Sequence, residues 1–209
     1  MNDKIKLKIC GITKETELPV INRIRPDYIG FVFAESKRKV GREQAEKLRD
    51  MLEPGIIAVG VFVDENPDRV VELLSRDIID IAQLHGNEDE EVITYIKEKT
   101  GKPVVKAVII KDASDVKRWR GTSADYLLLD SGKGSGKTFD WGSIDWSYIK
   151  ECCADIFLAG GINPDNVAEA VRMVRPYCID VSSGVELSGM KNEELITKLV
   201  RNMEAYSLV

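Results

Sequence analysis

Short apolar, β-branched runs alternate with longer amphipathic, charge-rich segments from one end of the chain to the other, the mark of repeated βα units. The pattern predicts eight strands, at 6–10, 28–33, 57–63, 79–84, 104–109, 126–130, 156–159 and 179–182. Helices are predicted near 14–23, 42–51, 68–74, 89–99, 113–118, 146–150, 164–173 and 192–203. Asn66-Pro67 and Asn163-Pro164 each set an oxygen-bearing cap before a proline whose missing N–H costs nothing at the first helical position, so helices should start there. The strand runs are nearly continuous in hydrophobicity, as a parallel sheet covered on both faces requires. Eight βα units in 209 residues match a (β/α)8 TIM barrel, of the α/β class, better than an open doubly wound sheet. With no linker or composition break, a single domain over 1–209 is expected.

Composition narrows the function classes. Lysine and arginine number 30 against 35 acidic residues, a net charge of −5 with the signs interspersed, which leaves no basic face for nucleic acid. Hydrophobic residues, at 44%, can build a large core, yet the longest apolar runs, such as 56–63, fall far short of the roughly 20 residues that span a bilayer. The N-terminal stretch alternates charge with hydrophobicity and lacks a secretory signal, so a cytoplasmic location is expected. Cys10, Cys152, Cys153 and Cys178 form no CxxC pair, and His85 is the only histidine. Reduced thiols and no bound metal are therefore expected.

Barrel active sites lie at the carboxyl ends of the strands, so polar residues there become candidates. They are Cys10 after the first strand, Ser36 and Arg38 after the second, Asp64 after the third and His85 after the fourth. Asp130 ends the sixth, Gly160-Gly161 the seventh, and Asp180, Ser182, Ser183 and Gly184 come with the eighth. Glycine and serine loops after strands seven and eight suit a phosphate bound by backbone N–H groups; tight βα turns are the simpler reading. Cys10 reads as a small buried hydrophobe or as a reactive thiol, and Lys8, two residues earlier on the same side of the strand, would favour thiolate. The other three cysteines read as structural. Asp130 closes a hydrophobic run, where desolvation would raise its pKa and suit a general acid; a loop hydrogen bond is the alternative. His85 could be a structural imidazole or a ligand contact, and Arg38 a solvated charge or a clamp for a substrate carboxylate. The acidic run 88–91 reads as solvated helix surface.

Seven motifs in order, Lys8-Ile9-Cys10-Gly11-Ile12-Thr13, Gly30-Phe31-Val32-Phe33, Gly60-Val61-Phe62-Val63, Gln83-Leu84-His85-Gly86, Phe139-Asp140-Trp141, Leu158-Ala159-Gly160-Gly161-Ile162 and Asp180-Val181-Ser182-Ser183-Gly184-Val185-Glu186, run across nearly the whole chain. Together they resemble the phosphoribosylanthranilate isomerase family of tryptophan biosynthesis. The resemblance implies an Amadori rearrangement of a small phosphorylated substrate, without metal or organic cofactor, by a monomer or homodimer that binds neither nucleic acid nor membrane. It implies Cys10 as general base and Asp130 as general acid. Arg38 would hold the anthranilate carboxylate, His85 and Asp180 the sugar and ring region, and Gly160, Gly161, Ser182, Ser183 and Gly184 the phosphate. Two departures stand out: Ser36-Lys37-Arg38 replaces the family's Ser-Pro-Arg, implying a more mobile Arg38 loop, and the glycine-rich 131–138 segment, a candidate lid, is similar to the family's but not identical. Two other readings remain: the sister isomerase of histidine biosynthesis, which resembles a barrel with Asp at the first strand, and a phosphosugar-binding barrel without catalysis.

Overall fold

The computed structural model describes residues 4–130, 132, 141–152 and 155–207. Among them, Lys6–Cys10 (β1), Tyr28–Val32 (β2), Ile57–Phe62 (β3), Ile81–Leu84 (β4), Val104–Ile109 (β5), Tyr126–Asp130 (β6), Asp155–Leu158 (β7) and Cys178–Val181 (β8) pair side by side in chain order, all parallel. β8 pairs back onto β1, closing the expected eight-stranded barrel. Helices Leu18–Ile24 (α1), Arg42–Asp50 (α2), Pro67–Ser75 (α3), Glu90–Thr100 (α4), Trp146–Cys152 (α5), Val167–Val174 (α6) and Glu193–Ser207 (α7) follow strands one to four and six to eight. The crossover between β5 and β6 is a 3-10 helix, Ala113–Trp119. Cys153, Phe139-Asp140 and all of the 131–138 segment except Gly132 lie outside the described residues.

The near-continuous hydrophobicity of the strands has its cause in two concentric cores. Successive side chains point to opposite faces of a strand. One set, including Ile9, Ile29, Phe31, Phe62, Leu127 and Leu129, packs outward against Leu48, Leu73, Ile93, Ile149 and Val171 of the helices. The other, including Tyr28, Val59, Ile81, Val105, Leu128, Phe157 and Cys178, fills the barrel interior. Tyr28, Tyr126, Phe157 and Tyr177 cluster there, with ring centroids 5.1 to 5.8 Å apart, and Tyr28 and Tyr177 share a hydroxyl hydrogen bond of 3.1 Å. Tyr28 and Tyr126 open their strands and Tyr177 immediately precedes β8, so the ring cluster closes the amino end of the barrel and the open end is the carboxyl end.

Several local expectations shift. The 14–23 segment divides into a 3-10 turn, Glu15–Glu17, and α1, with Pro19 in the first helical turn, where no N–H is needed. Asn66 caps α3 by accepting from the Asp68 N–H at 2.9 Å, with Pro67 opening the helix. After Asn163-Pro164 a turn intervenes: the Asn163 carbonyl is shared between the N–H groups of Asn166 and Val167, and α6 starts three residues later than expected. Nor is 88–91 one solvated surface. Glu88 is buried, accepting from Lys106 Nζ at 2.6 Å and from the N–H groups of Asp64 and Gly86 at 2.8 and 2.9 Å. Asp89 caps α4, and Glu90 and Glu91 face solvent. Past β8 the chain forms a small hairpin, Glu186–Leu187 (β9) and Met190–Lys191 (β10), that hydrophobic periodicity does not announce.

Candidate active site

At the carboxyl end of the barrel a cavity of about 400 Å³ opens between the strand ends. Cys10, Arg38, His85, Asp130, Gly160, Gly161, Asp180, Ser182, Ser183 and Gly184 all line it, so the structure gathers these ten candidates into one space. Ser36 lines it too. Asp64 does not: its carboxylate instead holds the N–H and side-chain amide of Asn87.

Lys8 and Asp180 are register partners on β1 and β8, and both side chains point inward. Their ion pair, Lys8 Nζ to Asp180 Oδ2, measures 2.8 Å and is buried. Burial pulls the Lys8 ammonium down, but Asp180 and Cys10 more than offset it, and the group stays above its ordinary value. Cys10 differs from the sequence expectation. Burial pushes its thiol up, and although Lys8 opposes this, the Asp180 carboxylate shares that ammonium and adds to the push, so the thiol lies above its ordinary 9.0. The neutral thiol is therefore the resting form.

Asp130 sits across the cavity at the end of β6, a quarter exposed rather than sealed, with Oδ1 accepting from the Gly132 N–H at 2.9 Å. The loop hydrogen bond weighed as an alternative is present. Its Oδ2 stands 3.7 Å from His85 Nε2. Burial lowers the His85 pKa below 6.5, outweighing the pull of Asp130, so the imidazole is neutral near pH 7. The Gln83 side-chain amide N–H donates to His85 Nδ1 at 3.1 Å, which puts the ring proton on Nε2, facing Asp130. Gln83 also lines the cavity, and its position two residues before His85 on one strand face was the signal for it in the sequence. Its Oε1, like Asp180 Oδ1, is buried and accepts no hydrogen bond from the protein.

The two loops proposed for phosphate meet on one wall. Gly160 and Gly161 both adopt left-handed backbone, φ +88° and +71°, a turn that glycine makes without strain. Asn163 and Asn166 donate side-chain N–H groups to the Gly161 carbonyl. Ser183–Val185 forms a 3-10 turn after β8, and the Ser182 hydroxyl donates to the Cys10 carbonyl at 3.0 Å, fixing this loop to the strand that carries the thiol. Arg38 is not loosely aimed, as Lys37 led us to expect. Its Nε and Nη2 donate to Glu186 Oε1 and Oε2 at 2.8 and 2.7 Å.

Comparison with known proteins fits this geometry. Residues 7–202 match the family model described as N-(5'phosphoribosyl)anthranilate (PRA) isomerase. A protein of Endomicrobium trichonymphae named N-(5'-phosphoribosyl)anthranilate isomerase is 45% identical over 201 residues, 94% of this chain and 96% of its own. Among solved structures, phosphoribosyl anthranilate isomerase from Thermotoga maritima superposes with a TM-score of 0.86 at 36% identity, covering 96% of this chain and 99% of that one. A phosphoribosyl anthranilate isomerase in complex with reduced 1-(o-carboxyphenylamino)-1-deoxyribulose 5-phosphate superposes with a TM-score of 0.84 at 34% identity, with the same coverage. The chain belongs to the N-(5'-phosphoribosyl)anthranilate isomerase family.

Proposed function

We propose that the chain catalyses the Amadori rearrangement of N-(5′-phosphoribosyl)anthranilate to 1-(2-carboxyphenylamino)-1-deoxyribulose 5-phosphate, a step of tryptophan biosynthesis. The observation that carries this reading is that Cys10 and Asp130 line one cavity, with both glycine-serine loops on its wall. Asp130, as general acid, gives its proton to the ribose ring oxygen. The C1–O bond breaks and the anthranilate nitrogen lone pair forms a C1=N bond. Cys10, once deprotonated, takes the C2 proton, and the electrons of that C–H bond form the enolamine C1=C2 bond, neutralising the nitrogen. Loss of the C2 hydroxyl proton and protonation at C1 give the ketone.

The buried oxygens of Gln83 and Asp180 suit the ribose hydroxyls, donors that would satisfy acceptors the protein leaves unmatched. Neutral His85 turns its Nε2–H toward Asp130 and lines the sugar region. The loops at Gly160-Gly161 and Ser182-Ser183-Gly184 hold the phosphate, and Arg38 the carboxylate. The chain works as one catalytic domain. Among the described residues Cys10 and Cys178 are free thiols, which suits the reducing cytoplasm, and no helix is long and apolar enough to cross a membrane.

Fluorescence decay of freshly generated phosphoribosylanthranilate tests the assignment. Cys10→Ala and Asp130→Asn should each lose about 10²- to 10⁴-fold in turnover while circular dichroism stays native. Wild-type protein that binds the substrate without consuming it would instead mark a silent phosphosugar-binding barrel. Undiminished turnover in either variant would remove that residue's role.

A further inference from the structure

Arg38 leaves β2 on a loop without the expected proline, yet its guanidinium is fixed, and the fixing groups come from the β9–β10 hairpin. Glu186 Oε1 accepts from Arg38 Nε at 2.8 Å and from Lys191 Nζ at 2.6 Å, while Oε2 accepts from Arg38 Nη2 at 2.7 Å. The planar guanidinium carries five N–H groups, and this pairing uses the Nε/Nη2 edge alone. The remaining edge, with both Nη1 hydrogens and the second Nη2 hydrogen, keeps the geometry for a second two-point contact with a carboxylate, on a side chain that lines the cavity. We propose that Glu186, itself held by Lys191, is a positioning residue that presents the open edge of Arg38 to the substrate carboxylate. This rests on the reading of Arg38 as the group that meets that carboxylate.

Charge supports the same assignment. Glu186 and Arg38 alone would cancel, leaving little attraction for an anion. Lys191, its side chain wholly buried, gives the Arg38–Glu186–Lys191 trio one net positive charge, with the Glu17 carboxylate standing behind it on the side of the Lys191 backbone. The two cations hold the Glu186 carboxyl down at about 2, so it stays ionised at any working pH. The cluster is also anchored to the catalytic strand. Lys191 donates from Nζ to the Ser182 carbonyl at 3.1 Å and from its backbone N–H to Glu17 Oε1 at 3.0 Å. Glu17 is buried, and its Oε2 accepts from the N–H groups of Thr13 and Lys14, both at 2.9 Å, in the loop that follows Cys10. Gly11 completes the fit: a Cβ there would lie 2.3 Å from Arg38 Cδ, so the arginine stem crosses the chain where a side chain is missing. Held against β1 at one end and Arg38 at the other, Glu186 fixes where a carboxylate binds relative to the thiol.

Inhibition by the reduced product analogue, 1-(2-carboxyphenylamino)-1-deoxyribitol phosphate, and by its counterpart lacking the carboxylate, separates positioning from general support. Glu186→Gln should weaken the carboxylate-bearing inhibitor about tenfold and the other less than about twofold, as expected when one charge-assisted contact is misaligned. Equal weakening of both, weakening of neither, or tighter binding of the carboxylate-bearing inhibitor, as loss of a negative charge without loss of alignment would give, overturns the proposal. Arg38→Met distinguishes the two levels: selective loss there with no selectivity in Glu186→Gln sinks the positioning role alone. No selectivity in Arg38→Met sinks the reading of Arg38 and this proposal with it. Should Glu186→Gln fail to fold, Glu186→Asp, which keeps the charge but draws it back by one methylene, should show the same preference at smaller size, and equal effects on both inhibitors would overturn the proposal.

Discussion

Cys10, proposed as the base, would have to be a thiolate when it acts, yet its thiol rests above 9.0 because burial and the Asp180 carboxylate outweigh Lys8. The Lys8 ammonium sits between two anions in waiting, and at rest it serves Asp180. Removing that carboxylate's charge should therefore hand the ammonium to the sulfur. Asp180→Asn is expected to lower the Cys10 pKa, so alkylation by iodoacetamide, with Cys10→Ala as the blank, should reach half its maximal rate at lower pH than in the parent. A midpoint that stays put or rises would mean that Lys8 does not govern the thiol. Sequence spacing had placed Lys8 and Cys10 on one face, which is correct. What it could not show was Asp180, 172 positions away, holding the same ammonium.

At the level of elements, the strands and most helices were legible because each strand is buried on both faces and each helix on one, so burial writes a continuous apolar run into the first and a helical period into the second. The hairpin at Glu186–Lys191 was not, since two-residue strands have no period; its one local sign is Ser188-Gly189, with φ of +52° and +78°, the left-handed pair that tight hairpin turns use. Glu88 was misread for a related reason. A buried acid looks like a surface one until its partner is known, and Lys106 lies on the outward face of β5, over the Trp119 ring. Lys106 also donates to the Gly86 carbonyl, so this pair ties the ends of β3, β4 and β5 together beneath the loop that carries His85. Lys106→Met would leave the Glu88 carboxylate buried and unpaired, and is expected to cost about 3 kcal/mol in urea unfolding. A loss below about 1 kcal/mol would show that the pair contributes little beyond its backbone hydrogen bonds.

For the molecule as a whole, the groups that build the site also shape its stability against pH. Glu186 titrates at about 2 in the fold and near 4.5 when exposed, so its contribution is full above 4.5 and is lost as pH falls toward 2. His85 is held below 6.5; its neutral form favours the fold, and that contribution starts to fade as pH drops beneath 6.5. Cys10 and Cys178 run the other way. Burial raises both thiols above 9.0, so the folded chain keeps protons that the unfolded chain releases, and stability declines as pH climbs past 9.0. Glu186 and His85 on the acid side and the two thiols on the alkaline side predict a plateau of stability between about 6.5 and 9.0, against opposite slopes from Asp180, which burial raises, and Lys191, which burial lowers. Urea midpoints measured across pH should fall on both sides. Glu186→Gln should flatten the stretch from about 4.5 to 2, and Cys10→Ala with Cys178→Ala the alkaline decline. Parallel curves for parent and variants would mean that the site's charges are balanced within the fold at no net cost, and that its ionisation is not coupled to folding.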